Sequence, residues 1–277
     1  MPAPSAAVVL DSFSAVILTG GSSGIGKSFL EHMAKVCPNA LICNLSRSQP
    51  PRVHSPVQQE LKVRHFSCDL SREEEVNAAM TEALAAIEQE AGEGRVLLVN
   101  NAGFGAYGRY PDIAASTQLA MVDVNIRAVL DLTARVLPML TQRGGAVINV
   151  ASTAAFQPTA YLATYGATKS FVLHWSLALA EELRGSGVQV LAVCPGPTRT
   201  SFFQRAGWTG GGATPPGQEA EAVVRQAWAA LRAGRTLVVT GWKNKVMTAL
   251  SSKLPKAFGA RIAAFVLARY RRPKDAV

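Results

Sequence analysis

Short apolar runs alternate along this chain with longer stretches in which apolar residues recur at helical spacing. The runs are nearly continuous in apolar residues, which is typical of strands whose two faces are both covered by helices. Repeated strand–helix alternation of this kind favours a parallel sheet. The pattern therefore predicts an α/β fold of the Rossmann type, built on a doubly wound parallel sheet. The predicted strands are residues 14–18, 40–45, 62–66, 95–99, 146–150, 188–193 and 236–239.

Five helices are predicted between these strands, and two segments interrupt the alternation. Residues 46–60 contain three prolines, so any helix there must be short or absent. Residues 207–217 are rich in glycine and proline, which predicts a mobile loop. The sequence Ser-Arg-Glu-Glu at residues 71–74 resembles a capping box that opens the second helix. The predicted helices are residues 24–36, 72–91, 116–140, 161–184 and 218–233.

The positive charge of the chain is concentrated near its C-terminus. The formal net charge is +9, yet residues 1–240 hold 19 basic and 18 acidic residues. Residues 241–277 hold nine basic residues and one acidic residue, Asp275. A nearly neutral body argues against nucleic acid as a partner. We therefore predict a single domain over residues 1–240, which carries the functional site, and a basic C-terminal tail over residues 241–277.

The tail sequence predicts one or two basic amphipathic helices with a break at Pro255. Such helices can lie on an anionic membrane surface, which would make the protein peripherally membrane-associated. They can equally pack on the domain or on a neighbouring subunit, and the sequence leaves these alternatives open. The apolar residues that recur at steps of three or four are Val246, Leu250, Leu254, Phe258, Ile262, Phe265 and Val266.

Cysteine and histidine usage favours neither disulfides nor a metal site. The four cysteines are far apart and form no CxxC pair, which predicts reduced, mostly buried thiols. The four histidines form no ligand-spaced cluster with them, so no metal is expected. The first basic residue is Lys27, and no uncharged apolar run reaches about 18 residues. We therefore expect no signal peptide, no membrane-spanning helix and a cytoplasmic location.

The first predicted strand runs into a glycine-rich loop that opens a helix. Its sequence at residues 19–26 is Thr-Gly-Gly-Ser-Ser-Gly-Ile-Gly. Glycines allow a sharp turn and a close approach of the backbone to a pyrophosphate, and a helix N-terminus offers free N–H groups. The spacing differs from the general GxGxxG fingerprint, and a plain tight turn is the alternative interpretation. In its strand–helix context the loop predicts a dinucleotide site.

Three later strand ends supply candidate contacts for such a dinucleotide. The second strand ends without the acidic residue that binds an unmodified ribose, and Arg47 could instead bind a 2′-phosphate, which favours NADP(H). A solvated loop charge is the alternative for Arg47. Asp69 could accept a hydrogen bond from an adenine amine, although an Asp at this place is also a normal helix cap. Asn100 and Asn101 could fix the loop after the fourth strand, where the alternative is an ordinary turn.

The strongest candidate for chemistry is Tyr165 with Lys169 on a predicted helix. A spacing of four places both side chains on one helix face. A nearby ammonium favours the phenolate, which predicts a lowered pKa for Tyr165 and an acid/base able to protonate a carbonyl oxygen. Ser152, just after the fifth strand, could donate a hydrogen bond to the same oxygen. Tyr270 and Lys274 repeat the spacing beside a proline, and we attribute that match to chance.

Taken in order, these motifs resemble those of the short-chain dehydrogenases/reductases, over about residues 14–240. The resemblance implies a single-domain, NADP-preferring enzyme, with Tyr165 as general acid/base, Lys169 lowering its pKa and binding the nicotinamide ribose, and Ser152 orienting the substrate carbonyl. It also implies that Asn125 holds a water in a proton relay. The cofactor contacts implied, besides Tyr165, Lys169, Arg47 and Asp69, are Gly20, Ser22, Ser23, Gly24, Ile25, Gly26, Leu70, Asn101, Ala102, Gly103, Pro195, Gly196 and Thr198.

Substrate and assembly are less constrained by the sequence. The resemblance places a substrate lid at residues 199–217, and aromatic residues there and after residue 103 predict an apolar pocket, although half of them could be packing residues. The predicted function is interconversion of a carbonyl and a secondary alcohol on an apolar substrate. A non-catalytic NADP(H)-binding redox sensor is the alternative, and a homodimer or homotetramer is expected by analogy. The aromatic residues are Phe104, Tyr107, Tyr110, Phe202, Phe203 and Trp208.

Overall fold

Seven parallel strands form one sheet in the order β3-β2-β1-β4-β5-β6-β7. This architecture is seen in a computed structural model that describes residues 13–54, 60–208 and 217–268. The strand order reverses between β1 and β4, and ligands of such sheets bind at the carboxyl ends of the strands beside that point. The strands are β1 (Phe13–Thr19), β2 (Leu41–Ser46), β3 (Val63–Ser67), β4 (Arg95–Asn100), β5 (Gly145–Val150), β6 (Val188–Cys194) and β7 (Leu237–Val239).

Helices cover both faces of this sheet, which confirms the predicted doubly wound α/β fold. Every residue of β5 and β6 is buried, as expected for central strands with helices on each side. β3 is half-exposed because it lies at the sheet edge. The helices are α1 (Gly24–Val36), α2 (Glu73–Glu90), α3 (Ala115–Val122), α4 (Ala128–Arg143), α5 (Ala163–Glu182), α6 (Phe202–Arg205), α7 (Ala220–Arg232), α8 (Trp242–Ser251) and α9 (Lys256–Ala268).

Two apolar layers hold these elements together. Phe29 of α1 and Trp228 of α7 pack with β1 and β4 residues on one face. Met80 of α2 and Leu132 of α4 belong to the layer on the other face. All four cysteines are buried free thiols, as predicted, and burial is the main reason that the pKa of Cys43 rises to about 12. The sheet is therefore a rigid support for the loops that follow its strands.

Two predicted helix features differ in detail from the structure. The predicted helix over residues 116–140 is confirmed as one helical run, within which a π-turn at Asp123–Arg127 separates α3 from α4. The predicted capping box is absent at the start of α2, where Arg72 is the N-cap residue. Instead, the Asp69 carboxylate accepts from the Ser71 amide and hydroxyl at 2.9 and 2.7 Å, and Glu75 accepts from the Asp69 amide at 2.8 Å. A turn centred on the Asp69 carboxylate, and not a serine cap, therefore precedes α2.

The loop segments that the sequence singled out are described only in part. Residues 47–54 and residue 60 form an irregular connection with one bridge between His54 and Glu60, in keeping with the prolines of this segment. Residues 55–59, and residues 209–216 of the predicted mobile loop, lie outside the described residues. The chance Tyr270–Lys274 match also lies outside them.

The tail forms two helices, α8 and α9, separated at the predicted break before Lys256. The Asn244 side chain sits against Gly196, since a Cβ on that glycine would overlap it. The Tyr107 hydroxyl donates to the Leu267 carbonyl at 2.6 Å. The tail therefore packs on the domain, which was one of the open alternatives. Over the part of the chain that the structure describes, no helix is both long and apolar enough to cross a membrane.

Candidate active site

A cavity of about 1100 Å³ opens at the carboxyl ends of the strands and collects most of the predicted site residues. Gly26 and Asn125 are outside its lining and support residues that form it. The predicted residues that line the cavity are Gly20, Ser22, Ser23, Gly24, Ile25, Arg47, Asp69, Leu70, Asn101, Ala102, Gly103, Ser152, Tyr165, Lys169, Pro195, Gly196 and Thr198. A single continuous site therefore joins the glycine loop to the Tyr165 helix.

The glycines of the loop at residues 19–26 set the shape of its backbone beside this cavity. Gly20 and Gly24 adopt φ values of +71° and +56°, a region that side chains other than glycine rarely adopt. A Cβ on Gly26 would overlap the Gly20 carbonyl oxygen, so the loop closes on itself only because residue 26 is glycine. α1 begins at Gly24 with no acidic residue in its first turn. These features fit an anionic pyrophosphate at the N-terminus of α1.

Two asparagines fix the loop to neighbouring strands. Asn101 Nδ2 donates to the Thr19 carbonyl at 2.8 Å, while the Asn101 and Ala102 amides donate to the Thr19 hydroxyl at 3.0 and 2.9 Å. The locking role predicted for the asparagines after β4 is thus confirmed for Asn101. Asn44 on β2 accepts from the Gly21 amide at 2.8 Å. Sequence reasoning missed Asn44 because its partner lies 23 residues away and shares no motif with it.

Arg47 and Asp69 lie beside each other at the β2–β3 end of the cavity. Arg47 is exposed and lines the cavity with Ser46 and Ser48. Burial alone would raise the pKa of Asp69, but hydrogen bonds from Ser71 and the nearby Arg47 and Arg72 charges lower it below its ordinary value. Asp69 is therefore ionised at neutral pH, and it serves as a local cap while also lining the cavity.

Ser152 and Tyr165 meet at the other end of the cavity. Ser152 follows β5, and its hydroxyl accepts from the Ala154 amide at 3.1 Å. A hydrogen bond between the Ser152 and Tyr165 side chains stabilises the phenolate form and lowers the Tyr165 pKa, but the larger effect of burial raises it to about 12. The phenol is therefore protonated at neutral pH and able to donate a proton.

Lys169 lies deeper, on the same face of α5. Its ammonium donates to the Val150 carbonyl at 2.8 Å and lies 6.0 Å from the centroid of the Tyr165 ring. Burial lowers the pKa of Lys169 to about 8. The predicted lowering of the Tyr165 pKa is therefore wrong, because burial of the phenol is the largest influence and raises that pKa.

Asn125 occupies the π-turn and holds the loop after β4. Its Oδ1 accepts from the Phe104 amide at 3.1 Å, and its Nδ2 donates to the Phe104 carbonyl and to the Thr168 hydroxyl, both at 3.0 Å. π-turns inside helices are frequent at functional sites. Asn125 thereby joins the Gly103 loop to the helix that carries Tyr165. Its predicted role in holding a water stays a prediction.

The motifs and their geometry agree with a match to a known family. The family model of the short chain dehydrogenases matches residues 14–208, more than half of the chain. This protein belongs to the short-chain dehydrogenase family. The match covers every sheet strand except β7, together with the glycine loop, Ser152, Tyr165 and Lys169.

Three relatives illustrate how this short-chain dehydrogenase compares with known proteins. Human very-long-chain 3-oxoacyl-CoA reductase is 33% identical over 187 residues, which are 65% of this chain and 57% of the reductase. Hydroxysteroid dehydrogenase-like protein 1 of Gallus gallus is 32% identical over 186 residues, 65% of this chain and 54% of that protein. This chain therefore spans little more than half the length of these curated relatives. The Sphingobium yanoikuyae short-chain dehydrogenase, solved in complex with NADPH, has a TM-score of 0.70 and 26% identity, covering 88% of this chain and 98% of that one.

The part of this dehydrogenase's cavity beyond Tyr165 has a largely apolar lining. Phe104, Phe202, Phe203 and Trp208 line it as predicted, whereas Tyr107 and Tyr110 are outside the lining. Tyr161, with a φ of +63°, packs with Tyr107 at a centroid distance of 6.2 Å. Sequence reasoning missed the other wall, which comes from α8, α9 and the turn between them. Its apolar residues are Met247, Leu250, Leu254, Ile262, Ala263, Val266 and Leu267.

Proposed function

We propose that this protein is an NADP(H)-dependent oxidoreductase that interconverts a carbonyl and a secondary alcohol on an apolar substrate. One observation carries the proposal: the side chains of Ser152 and Tyr165 line the same cavity as the glycine loop and Arg47. An acid/base, an oxygen-orienting hydroxyl and a dinucleotide cradle are thus within reach of one bound substrate.

The catalytic roles follow from the two ends of the cavity. NADPH, when bound, supplies the hydride for reduction. Tyr165 donates its phenolic proton to the substrate oxygen, and Ser152 donates a hydrogen bond to the same oxygen. Lys169 lines the cavity beside Tyr165 and would hydrogen-bond the nicotinamide ribose of the bound cofactor. In the oxidation direction the Tyr165 phenolate accepts the proton of the alcohol.

An apolar chain next to the carbonyl is the substrate class that the cavity supports. Aromatic residues on and next to α6 line the cavity, and aliphatic residues of α8 and α9 also line it. Large apolar cavities with a few converging polar groups are typical of small-molecule sites. The names of the two curated relatives, an acyl-CoA reductase and a hydroxysteroid dehydrogenase-like protein, describe compounds of the same apolar character. We therefore propose a ketone on a long acyl chain or a ring system.

The direct test mixes the protein and NADPH with ketones of increasing apolar length and follows the absorbance of the reduced cofactor. We expect turnover that improves with apolar length, because longer chains bury more surface in the cavity. Tight NADPH binding without turnover of any ketone would contradict the proposal and favour the redox-sensor alternative.

Arg47→Glu should reverse the cofactor preference. The substitution removes a charge-assisted hydrogen bond to the 2′-phosphate and places a like charge beside it, so the ratio of kcat/KM for NADPH to that for NADH should fall by about 10²-fold. Steady-state kinetics with both cofactors measure this ratio. Arg52→Glu is the matched control, since Arg52 carries the same charge outside the cavity. An unchanged ratio in the Arg47 variant would exclude the 2′-phosphate role.

The pH dependence of the two directions should differ. With the pKa of Tyr165 raised to about 12, the protonated phenol needed for reduction is present at neutral pH and is lost only as the pH approaches that value. Reduction should therefore be insensitive to Tyr165 ionisation near neutrality, whereas kcat/KM for oxidation should rise about tenfold per pH unit below the pKa. Initial rates across a pH series measure both. An oxidation profile that levels off near neutral pH would show that burial does not set the pKa of Tyr165.

Assembly and location are also part of the proposal. A homodimer or homotetramer, a cytoplasmic location and the domain limits of residues 1–240 and 241–277 stay predictions. We further propose that residues 241–277 contact a membrane peripherally. Support comes from the basic composition of this segment and from the exposed apolar side chains on its helices.

A further inference from the structure

Helices α8 and α9 form a roof over the substrate end of the cavity. This roof comprises residues 242–268. Thr248, Gly259 and Ala263 are buried on its inner side, and Leu254 in the turn between the helices lines the cavity. The roof is attached to the domain through Asn244 at its start and Leu267 near its end.

The outer side of the roof is apolar and exposed. On α8, Trp242, Val246 and Leu250 follow one another at single-turn spacing and are 71%, 53% and 63% exposed. On α9, Phe258 and Ile262 are 52% and 41% exposed and also lie one turn apart. A soluble protein rarely gathers so many large exposed apolar side chains on one element pair without a partner that covers them.

Charge identifies the kind of partner that fits this surface. The roof contains five basic residues and no acidic residue. All five are exposed: Lys243, Lys245, Lys253, Lys256 and Arg261. Apolar and aromatic side chains interleaved with lysine and arginine are the composition of helices that lie in the interface of an anionic membrane. A second copy of this uniformly basic surface would bring like charges together, which disfavours self-association through the roof.

The same roof residues connect its two sides. Met247, Leu250, Ile262 and Val266 line the cavity and are also between 41% and 63% exposed, so they form the mouth of the cavity on the roof. Leu250 and Ile262 belong at the same time to the exposed apolar rows. An apolar molecule lying in a membrane against the outer side of the roof would therefore meet the mouth without crossing water.

We propose that the roof is a docking surface for an anionic lipid membrane, and that the apolar substrate enters the cavity from the bilayer through the mouth between α8 and α9. This inference rests on the proposed function, because it assigns the source of the substrate for the Tyr165 site. It makes membrane contact part of substrate capture by this enzyme.

Vesicle co-sedimentation of the full-length protein tests the docking surface. The wild-type protein should bind phosphatidylglycerol-containing vesicles, and less so at high salt or on pure phosphatidylcholine. Trp242→Ser combined with Phe258→Ser should weaken binding by about tenfold or more, because two large apolar side chains leave the interface. Leu119→Ser is the matched control, since Leu119 is 66% exposed on α3 and should leave binding unchanged. Binding that is absent in the wild-type protein, or unaltered in the double variant, would overturn the proposal.

Activity measurements separate this inference from the proposed function. With a short, water-soluble ketone the double variant should match the wild-type rate, since neither Trp242 nor Phe258 lines the cavity. With a long-chain ketone held in anionic vesicles it should lose about tenfold in rate. If the wild-type protein reduces neither ketone, the proposed function is contradicted. If the wild-type protein and the double variant reduce the vesicle-bound ketone at equal rates, only the docking role of the roof is contradicted. A change of oligomeric state in the double variant, measured by light scattering, would instead assign the roof to a subunit interface.

Discussion

Tyr165→Phe should lower kcat/KM for ketone reduction by about 10²- to 10⁴-fold, the range that a positioned general acid contributes. The substitution removes only the hydroxyl. The ring keeps its packing against Phe202, whose centroid lies 5.2 Å away, so the fold and the cofactor end of the cavity should be undisturbed. Initial rates with NADPH and an apolar ketone measure the loss, and fluorescence titration should show an NADPH affinity within about twofold of the wild-type value.

Tyr161→Phe is the matched control for this experiment. Tyr161 lies four residues before Tyr165, ahead of the start of α5, and outside the lining of the cavity. Removing its hydroxyl should therefore leave kcat/KM close to that of the wild-type protein. A Tyr165 variant that retains most of its activity, or equal losses in both variants, would show that the general-acid assignment is wrong.

Gly26→Ala should impair the cofactor end of the cavity to a similar degree. A Cβ at this position would overlap the Gly20 carbonyl and lie 2.6 Å from Asn101 Nδ2, so the loop can no longer close against α1. The atoms involved are backbone and a hydrogen-bonded amide, which have little freedom to move aside. A displacement of about 1 Å at such a site can lower kcat/KM by roughly 10²-fold, here through weaker NADPH binding.

Gly92→Ala supplies the comparison for the loop variant. Gly92 has no neighbour within 4 Å of an added Cβ among the described atoms, so this substitution should leave NADPH affinity unchanged. Isothermal titration with NADPH measures both variants. A Gly26 variant that binds NADPH as tightly as the wild-type protein would show that the loop does not hold the pyrophosphate.

The sequence predicted the sheet well because its signal is local. The central strands are short apolar runs buried on both faces, and the predicted limits of all seven strands differ from those of the structure by only a residue or so. The Tyr165–Lys169 pair was also predictable, because helical spacing alone places both side chains on one face. Arg47 could be predicted as a residue of the cavity, because it follows the end of β2, where the sequence lacks an acidic residue.

Features that depend on contacts between distant segments could not be predicted in this way. The π-turn around Asn125 adds no visible signal to the apolar periodicity, and its partner Phe104 is 21 residues away. The cap before α2 involves Asp69 and Glu75, which lie outside the four-residue motif that suggested a serine cap. The pKa of Tyr165 depends on how deeply α5 buries it, which spacing along a helix does not report.

The tail shows the same limit most clearly. Its apolar period correctly predicted helices with a break at Pro255, but the period does not say which residues face the cavity and which face solvent. That division comes from the contacts of Asn244 with Gly196 and of Leu267 with Tyr107. These contacts, which the sequence does not reveal, show that the basic tail forms a wall of the site.

Because its native thiols are buried, this protein can be labelled selectively at a single introduced cysteine. Burial is the largest influence on three of them: it raises the pKa of Cys68 to about 11 and those of Cys43 and Cys194 to about 12. These three thiols are therefore protonated at neutral pH. All four cysteines, Cys37 included, are also buried. Maleimide reagents attack exposed thiolates. The wild-type protein should therefore react very little with maleimides. A Leu250→Cys variant could then be labelled with one polarity-sensitive dye at the mouth of the cavity, without removal of any native cysteine.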